Sequence, residues 1–405
     1  MTAPGDEMML GPTLDRLQRI ALFVGVVGAV LCLIGVFVDR DQFLRSYLYA
    51  YMFWLGMAMG CLGVLLMNHV VGGKWGVVTR RLLEAGARTF PLLMLLILPI
   101  LAGMGTLYLW TWPEIRAADK NIQLKSGYLN VPFFLIRQAV YWAIWLFYAW
   151  KLVQKSNEQD VTGDPGLMIR MRQISAPGLV IFVLASTFAC FDLMMSLEPH
   201  WYSTIYGAMF IADEYLQAFA WIIVILFLLS KRPPFTRILT IQHFHDLGNL
   251  LFAFTILWAY LAISQWIIIW SGNLPEEIPW YIRRFSGGWG VIAVILLVFH
   301  FFVPFLIMLS RWVKKTPGLL AAVAVYMIVI RWIDVYWIVE PAFYQDEFKK
   351  LHKMVFTMSW MDLAAPAAIG GLWIFMYIWR LKQRPLIPLK DPRVLGEPRT
   401  MVSGL

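Results

Sequence analysis

Long, unbroken apolar segments constrain this chain more than any other feature of its sequence. They recur along 405 residues without the strict alternation of apolar and polar positions that is typical of a bacterial outer-membrane barrel. A bilayer core about 30 Å thick is crossed by about 20 apolar residues in a helix, because each residue advances the helix by about 1.5 Å. The sequence therefore predicts an all-α polytopic membrane protein.

The composition excludes the main soluble classes. Residues of the AVILMFWYC set make up 60% of the chain, and charged residues make up 15%, where about 25% is usual in soluble domains. A soluble enzyme, a disordered protein and a nucleic-acid-binding module are therefore excluded. The net charge of +9 instead suggests membrane orientation and contact with anionic lipid headgroups. We expect membrane lipids as partners and no nucleic acid.

Ten windows are long and apolar enough to be transmembrane helices. Most end at helix-breaking residues such as Pro233-Pro234 and Pro317-Gly318. We expect one integral membrane domain over residues 1–405, with short cytoplasmic tails at both termini. The predicted spans are 18–38, 43–71, 80–111, 129–152, 173–195, 203–231, 244–270, 285–311, 317–339 and 356–381.

The distribution of Lys and Arg predicts the orientation of these spans. Twenty-one of the 34 basic residues lie at the termini or in the loops after even-numbered spans, and ten lie in the loops after odd-numbered spans. Cytoplasmic loops carry an excess of Lys and Arg. Both termini are therefore predicted to face the cytoplasm.

The sequence predicts no redox cofactor, no metal site and no catalytic residue in this chain. Cys32, Cys61 and Cys190 lie far apart, with none of the spacings that bind iron–sulfur clusters or attach c-type haem. Transmembrane electron transfer through haem usually needs two pairs of histidines at equal depth on facing spans, whereas here His69 and His245 both lie near the inner surface and His300 has no partner at its depth. Nucleotide-binding loops, the GxSxG motif and the HExxH motif are also missing from the sequence.

Asp213 and Glu214 in the sixth span are the strongest candidates for function. They lie about ten residues from its outer end, roughly 15 Å deep and close to the middle of the bilayer. Ionising two adjacent carboxylates at that depth has a large free-energy cost, so we expect at least one to hold a proton at neutral pH. A proton carrier needs this property.

Five further titratable residues extend this pattern toward both membrane surfaces. The sequence places two of them between the central pair and the outer surface and three between the central pair and the inner surface. Each set lies about 8–15 Å from the pair along the helix axes. Ordered water would have to bridge gaps of that size. The outer residues are Asp192 and Asp334, the second of which has Arg331 as an i,i+3 neighbour, and the inner residues are His300, His245 and Asp246.

Several segments together resemble a known family of membrane subunits. They are Asn68–Gly76 (NHVVGGKWG), Phe191–Thr204 (FDLMMSLEPHWYST), His243–Asn249 (HFHDLGN), Phe254–Gln265 (FTILWAYLAISQ) and Leu274–Glu277 (LPEE). With the ten spans they are similar to the NrfD-like (polysulfide reductase membrane subunit) family, and within it to the ActF-type subunits of alternative complex III. The resemblance covers essentially the whole chain.

The resemblance implies a subunit of a quinol:electron-acceptor (cytochrome c) oxidoreductase in the bacterial cytoplasmic membrane. It also implies two four-helix bundles, spans 2–5 at about 43–195 and spans 6–9 at about 203–339, flanked by spans 1 and 10. Implied partners are an iron–sulfur protein, multihaem c-type cytochromes and a second NrfD-like subunit. If menaquinone or ubiquinone binds here, the positions that match the family's site are Arg137, Tyr141 and Asp192.

Four functions stay open at this point. The first is a transmembrane proton path coupled to quinol oxidation. The second is a cofactor-free structural anchor for the peripheral redox subunits, and the third is a second quinone-binding subunit. A secondary transporter is the fourth, although no pair of short, Gly- or Pro-broken helices occupies matching positions in the two halves.

Overall fold

The computed structural model of the chain describes residues 13–344, 356–391 and 393. Within these residues the regular structure is helical, with no β-strand. Ten of the described helices are long and apolar enough to cross a membrane, which confirms the all-α polytopic prediction. They are α1 (Leu14–Val38), α2 (Arg40–Val71), α3 (Trp75–Ala102), α4 (Val131–Thr162), α5 (Gly166–Leu197), α6 (Ile205–Leu229), α7 (Ile241–Gly272), α8 (Gly288–Leu309), α9 (Pro317–Tyr344) and α10 (Met361–Lys382).

The ends of three helices differ from the ends predicted for their spans. The helix α4 continues ten residues beyond the predicted end at 152, through polar sequence that a hydropathy window does not detect. The ninth span was predicted to end at 339, but a 3₁₀ turn (Glu340–Tyr344) carries it further. The helix α3 was predicted to reach 111 and instead ends at Ala102. The extension of α9 to Tyr344 changes the depth of Asp334, as described below.

The helix α2 lies at the centre of the molecule. It packs against α1, α3, α5, α6 and α10. In its most apolar 18-residue stretch, 89% of the residues are buried. It approaches α6 closely, where a Cβ atom on Gly60 would lie 1.9 Å from the Glu214 carbonyl oxygen. Small residues allow transmembrane helices to approach closely in this way. The Gly60 contact therefore fixes α6, and Glu214 with it, against α2.

The helices α6–α9, which we call the second helix group, surround the candidate site. The helix α6 packs against α2, α5, α7 and α9, and α8 packs against α7 and α9. On the other side of α2, the helices α3, α4 and α5 pack in sequence, and α1 lies along α10. The division into two four-helix bundles that the family resemblance implies stays an interpretation of these contacts.

We name the two ends of the molecule by the predicted orientation. The predicted outer end carries the long connection 103–130, and the predicted inner end carries residues 383–391, which follow α10. There Leu386 and Ile387 are buried, and Asp391 pairs with Arg80 at 3.4 Å. Residues 345–355 and 394–405 contain some of the basic side chains used to predict orientation, and they lie outside the described residues.

Reporter fusions test the orientation directly. Fusions after Gly163 and Lys315 should report a cytoplasmic location, and fusions after Lys120 and Asn273 should report the opposite side, because ten spans place these sites on alternate surfaces. The measurement is paired alkaline phosphatase and green fluorescent protein activity in cells. Equal reporter activity on both sides, or a swapped result at Asn273, would contradict the ten-span topology.

Candidate functional site

Three titratable side chains from three helices meet inside the second helix group. Asp213 of α6, His300 of α8 and Asp334 of α9 each place an oxygen or nitrogen atom within 4.8 Å of the others. The Nη1 atom of Arg331 on α9 lies 3.1 Å from Asp213 Oδ2 and also pairs with Asp334 Oδ2. All four side chains are buried. Together with Glu214 we call them the central cluster.

The depth of Asp334 differs from the sequence prediction. Because α9 continues to Tyr344, Asp334 lies about 15 Å from the outer end of its helix. Asp213 lies about 12 Å from the start of α6 at Ile205. The two carboxylates are therefore at a similar level, and the prediction that about 8–15 Å separates Asp334 from the central pair was wrong.

His300 also lies at the level of the central cluster, and its prediction as an inner group 8–15 Å away was wrong. It belongs to a π-helical turn (Leu297–Phe302) inside α8. Pro304 has no N–H to donate to the His300 carbonyl four residues earlier, so a regular α-helical bond cannot form there. Single π-helical turns are frequent at functional sites. The His300 ring lies on Trp258 of α7 with ring centroids 3.8 Å apart.

Glu214 points away from Asp213, toward α2, as the 100° step between consecutive helical residues predicts. Its Cγ atom would lie 3.8 Å from a Cβ atom on Gly56. The amide of Gln217 turns to the same helix and donates to the Phe53 carbonyl at 3.1 Å. Both carboxyl oxygens of Glu214 and both ring nitrogens of His300 are buried without a hydrogen-bond partner in the described part of the chain. Such groups are usually satisfied by ordered water.

The charges of the central cluster do not balance if every acid is ionised. Asp213, Glu214 and Asp334 would carry three negative charges against the single positive charge of Arg331. An uncompensated buried charge costs several kcal/mol, about 3–5 where one partner of a buried pair is removed. We therefore expect the cluster to hold at least one proton at neutral pH, and His300 offers ring nitrogens that can accept or release it.

The central cluster has the ligand atoms for a metal ion, but its arrangement favours proton chemistry. Asp213, His300 and Asp334 would offer two oxygens and one nitrogen, a donor set that suits a divalent transition metal. The guanidinium of Arg331 already contacts both carboxylates. A cation between those oxygens would sit beside a fixed positive charge, which disfavours metal binding.

A second ionic group lies between the central cluster and the predicted outer surface. Glu198, in the loop after α5, pairs with Arg283 and with Arg284, the latter at 2.8 Å. Burial lowers the pKa of each guanidinium to about 9, so both stay charged at neutral pH. Tyr206 at the start of α6 is close enough to interact electrostatically with both Arg284 and Asp334. We call Glu198, Arg283 and Arg284 the outer ionic group.

The outer ionic group was not predicted as a site from the sequence. The sequence does contain a signal for this group. Glu198 is an acidic residue in one loop, and Arg283-Arg284 is a basic pair in another loop predicted on the same side of the membrane. The two Trp residues beside these charges, Trp201 and Trp280, stack with centroids 4.8 Å apart. Ion pairs between loop residues this far apart in sequence can be identified only when the fold is known.

His245 and Asp246 lie at the predicted inner end and do not join the central cluster. His245 Nδ1 is 3.9 Å from Asp246 Oδ1, and Gln242 donates to Asp246 at 2.6 Å. Trp258, which contacts His300, lies thirteen residues further along the same helix. That spacing is roughly 20 Å, so the gap is wider than the predicted 8–15 Å.

Asp192 belongs to a different group from the one predicted for proton transfer. Arg137 of α4 donates to both of its carboxylate oxygens, from Nε and Nη2 at 2.8 Å each. The Tyr141 hydroxyl donates to Asp192 Oδ2 at 2.9 Å, and Arg137 Nη1 donates to the Tyr128 carbonyl at 2.9 Å. The structure thus brings together the three positions that the family resemblance assigns to quinone binding, on α4 and α5.

Comparisons with known proteins add no family to this geometry. No protein-family model matches the sequence, and no curated protein matches it. The relation to the NrfD-like family therefore stays a prediction that depends on the sequence segments described above.

Replacing Arg331 tests whether it holds the central cluster together. Arg331→Met removes the cation and leaves Asp213 and Asp334 buried without compensation, so we expect the free energy of unfolding to fall by about 3–5 kcal/mol. The measurement is equilibrium unfolding in detergent. Asp213→Asn and Asp334→Asn added together to Arg331→Met should recover part of the loss, because the amides carry no charge.

The matched control is Arg311→Met, which removes an exposed guanidinium at the predicted inner end of the same helix group. Exposed charges contribute little to stability, so this variant should stay within about 1 kcal/mol of the wild type. A loss for Arg331→Met as small as the control's would contradict the assigned role of Arg331.

Proposed function

We propose that this protein is a membrane subunit of a quinol:electron-acceptor oxidoreductase of the alternative complex III type, in which the second helix group carries protons. The observation that supports this proposal is the central cluster, where two carboxylic acids share a single buried guanidinium, with a third buried acid and a buried histidine beside them. The family resemblance supplies the redox context, in which partner subunits transfer the electrons and this chain contributes the proton path.

In the proposed mechanism the two carboxylates compete for Arg331. When Arg331 pairs with Asp334, Asp213 loses its compensating charge and its affinity for a proton rises; when it pairs with Asp213, Asp334 takes the proton. The atoms lie within 4.8 Å, so a rotamer change or one water molecule can connect Asp213, His300 and Asp334. His300 relays the proton by binding it at one ring nitrogen and releasing it from the other.

The outer ionic group gives the path a direction toward the predicted outer surface. Tyr206 interacts electrostatically with both Arg284 and Asp334, and its hydroxyl can accept and donate a proton. Glu198 then receives the proton beside two fixed positive charges, which favour its release. On the predicted inner side, water must span the roughly 20 Å to His245 and Asp246.

A quinone fits the Arg137, Tyr141 and Asp192 group less well. Arg137 directs three of its nitrogens to Asp192 and the Tyr128 carbonyl, and Tyr141 donates its hydroxyl proton to Asp192. These bonds use three of the five guanidinium N–H donors and the Tyr141 hydroxyl, so a quinone carbonyl could gain only the two remaining N–H groups of Arg137 without displacing a bond. We therefore assign no quinol step to this chain.

The partners and location proposed for the protein follow from the same resemblance. They are an iron–sulfur protein, multihaem c-type cytochromes and a second NrfD-like subunit, in the bacterial cytoplasmic membrane with both termini on the cytoplasmic side. The competing function is a cofactor-free anchor that holds these subunits without moving protons. The two functions differ in one measurable property, the number of protons translocated per electron.

The double variant Asp213→Asn, Glu214→Gln separates the two functions, because it keeps side-chain shape and removes titration. We expect the variant to assemble with its partners, while proton translocation per electron falls by more than half. The measurement is acidification by the purified complex in vesicles, with electron transfer recorded in the same sample.

The matched control is Asp362→Asn, which replaces another buried carboxylate, at the predicted outer end of α10, where Ser46 and Tyr336 contact it. It should leave translocation per electron unchanged. Unchanged translocation in a correctly assembled double variant would contradict the proton path and favour the anchor.

A further inference from the structure

A groove at the predicted inner end collects three arginines beside an apolar surface. It has a volume of about 350 Å³ and lies between α3, α4 and the end of α10. Its lining combines Arg88, Arg380 and Arg384 with the apolar side chains of Pro91, Leu146 and Trp150. Trp150 is 58% exposed, as is common for tryptophan at the level of the lipid headgroups.

The three guanidinium groups are close together and poorly compensated. Arg88 interacts electrostatically with both Arg384 and Arg380. Glu84 lies 3.7 Å from Arg384 Nη1, but it is already paired with Arg80 at 3.2 Å and Arg81 at 2.7 Å. Within the described residues, the contact of Arg88 with Gln383 is to a neutral amide oxygen at 2.7 Å.

Buried donor atoms in this groove also lack hydrogen-bond partners. Arg380 Nε and Arg384 Nη1 are buried, and neither donates a hydrogen bond to any described residue. The Arg380 guanidinium instead lies 4.5 Å from the Trp379 ring centroid, which leaves its charge uncompensated. Three converging positive charges with unused donors favour a ligand that carries an oxyanion.

We infer that this groove, which we call the arginine groove, binds one anionic phospholipid. The phosphate lies among Arg88, Arg380 and Arg384, and an acyl chain lies along Pro91, Leu146 and Trp150. Charge complementarity and position support a lipid: the groove lies at the predicted inner end beside the exposed Trp150, and apolar side chains line it together with the arginines. Basic pockets between transmembrane helices on the cytoplasmic side bind such headgroups. This inference is independent of the proposed proton path.

The test measures thermal stability of the purified complex in neutral detergent as phosphatidylglycerol is added. Phosphatidylcholine with the same acyl chains is the uncharged probe, and inorganic phosphate is the anion without chains. We expect phosphatidylglycerol to raise the melting temperature of the wild type and the other two probes to leave it unchanged. Equal protection by phosphatidylcholine, or by inorganic phosphate, would overturn the lipid assignment.

The variant Arg88→Gln, Arg380→Gln, Arg384→Gln removes the charges from the groove. Its half-maximal phosphatidylglycerol concentration should rise on the order of a hundredfold, from the usual contribution of each basic residue near a membrane surface. The control replaces Arg170, Arg172 and Arg232, three basic residues of other predicted inner loops, with Gln, and it should respond like the wild type. Equal responses of both triple variants would overturn the site.

The single variant Arg380→Gln covers the case in which the triple variant does not fold. Arg380 is half-buried at the end of α10, so its replacement disturbs little packing. Its half-maximal concentration should rise several-fold. A response identical to the wild type, in a variant that melts at the wild-type temperature without lipid, would also overturn the site.

Discussion

A single buried guanidinium shared by two carboxylates organises the second helix group. Arg331 contacts Asp213 from α6 and Asp334 from its own helix, so the ion pair joins α6 to α9 across the interior. A charge in the membrane interior is tolerated only where it is paired or hydrated. The surplus of acids over this one cation then requires protons in the cluster, and the proposed function depends on that requirement.

The packing of α2 places the cluster and keeps it closed to lipid. Gly60 lets the two central helices touch at Glu214, and the side chain of Glu214 is thereby enclosed between them. On the opposite side, Trp258 covers His300. The cluster is therefore enclosed by helix backbone and aromatic rings, so its titratable groups could exchange protons with the two surfaces only through polar side chains or ordered water.

The ten spans could be predicted from the sequence because hydropathy depends on composition over about 20 residues, and the structure confirms them. The residues of the central cluster could also be selected, since an intramembrane charge is unusual wherever it occurs. Their meeting could not be predicted. It depends on the relative depth and rotation of α6, α8 and α9 and on the π-helical turn at His300, which hydropathy along the chain does not contain. Asp192 shows the same limit: Arg137 and Asp192 were both selected from the sequence, but the ion pair between them was not predicted.

Infrared spectroscopy of the protein in membranes tests whether the central cluster holds a proton, because a protonated carboxylic acid absorbs separately from a carboxylate. We expect a protonated carboxyl band at neutral pH that is reduced in Asp213→Asn, Glu214→Gln. Asp119→Asn is the control. Although partial burial opposes it, hydrogen bonds from His200 and the local backbone hold the pKa of Asp119 below its usual value, so this carboxylate contributes no such band. A band of wild-type intensity in the double variant would contradict the account.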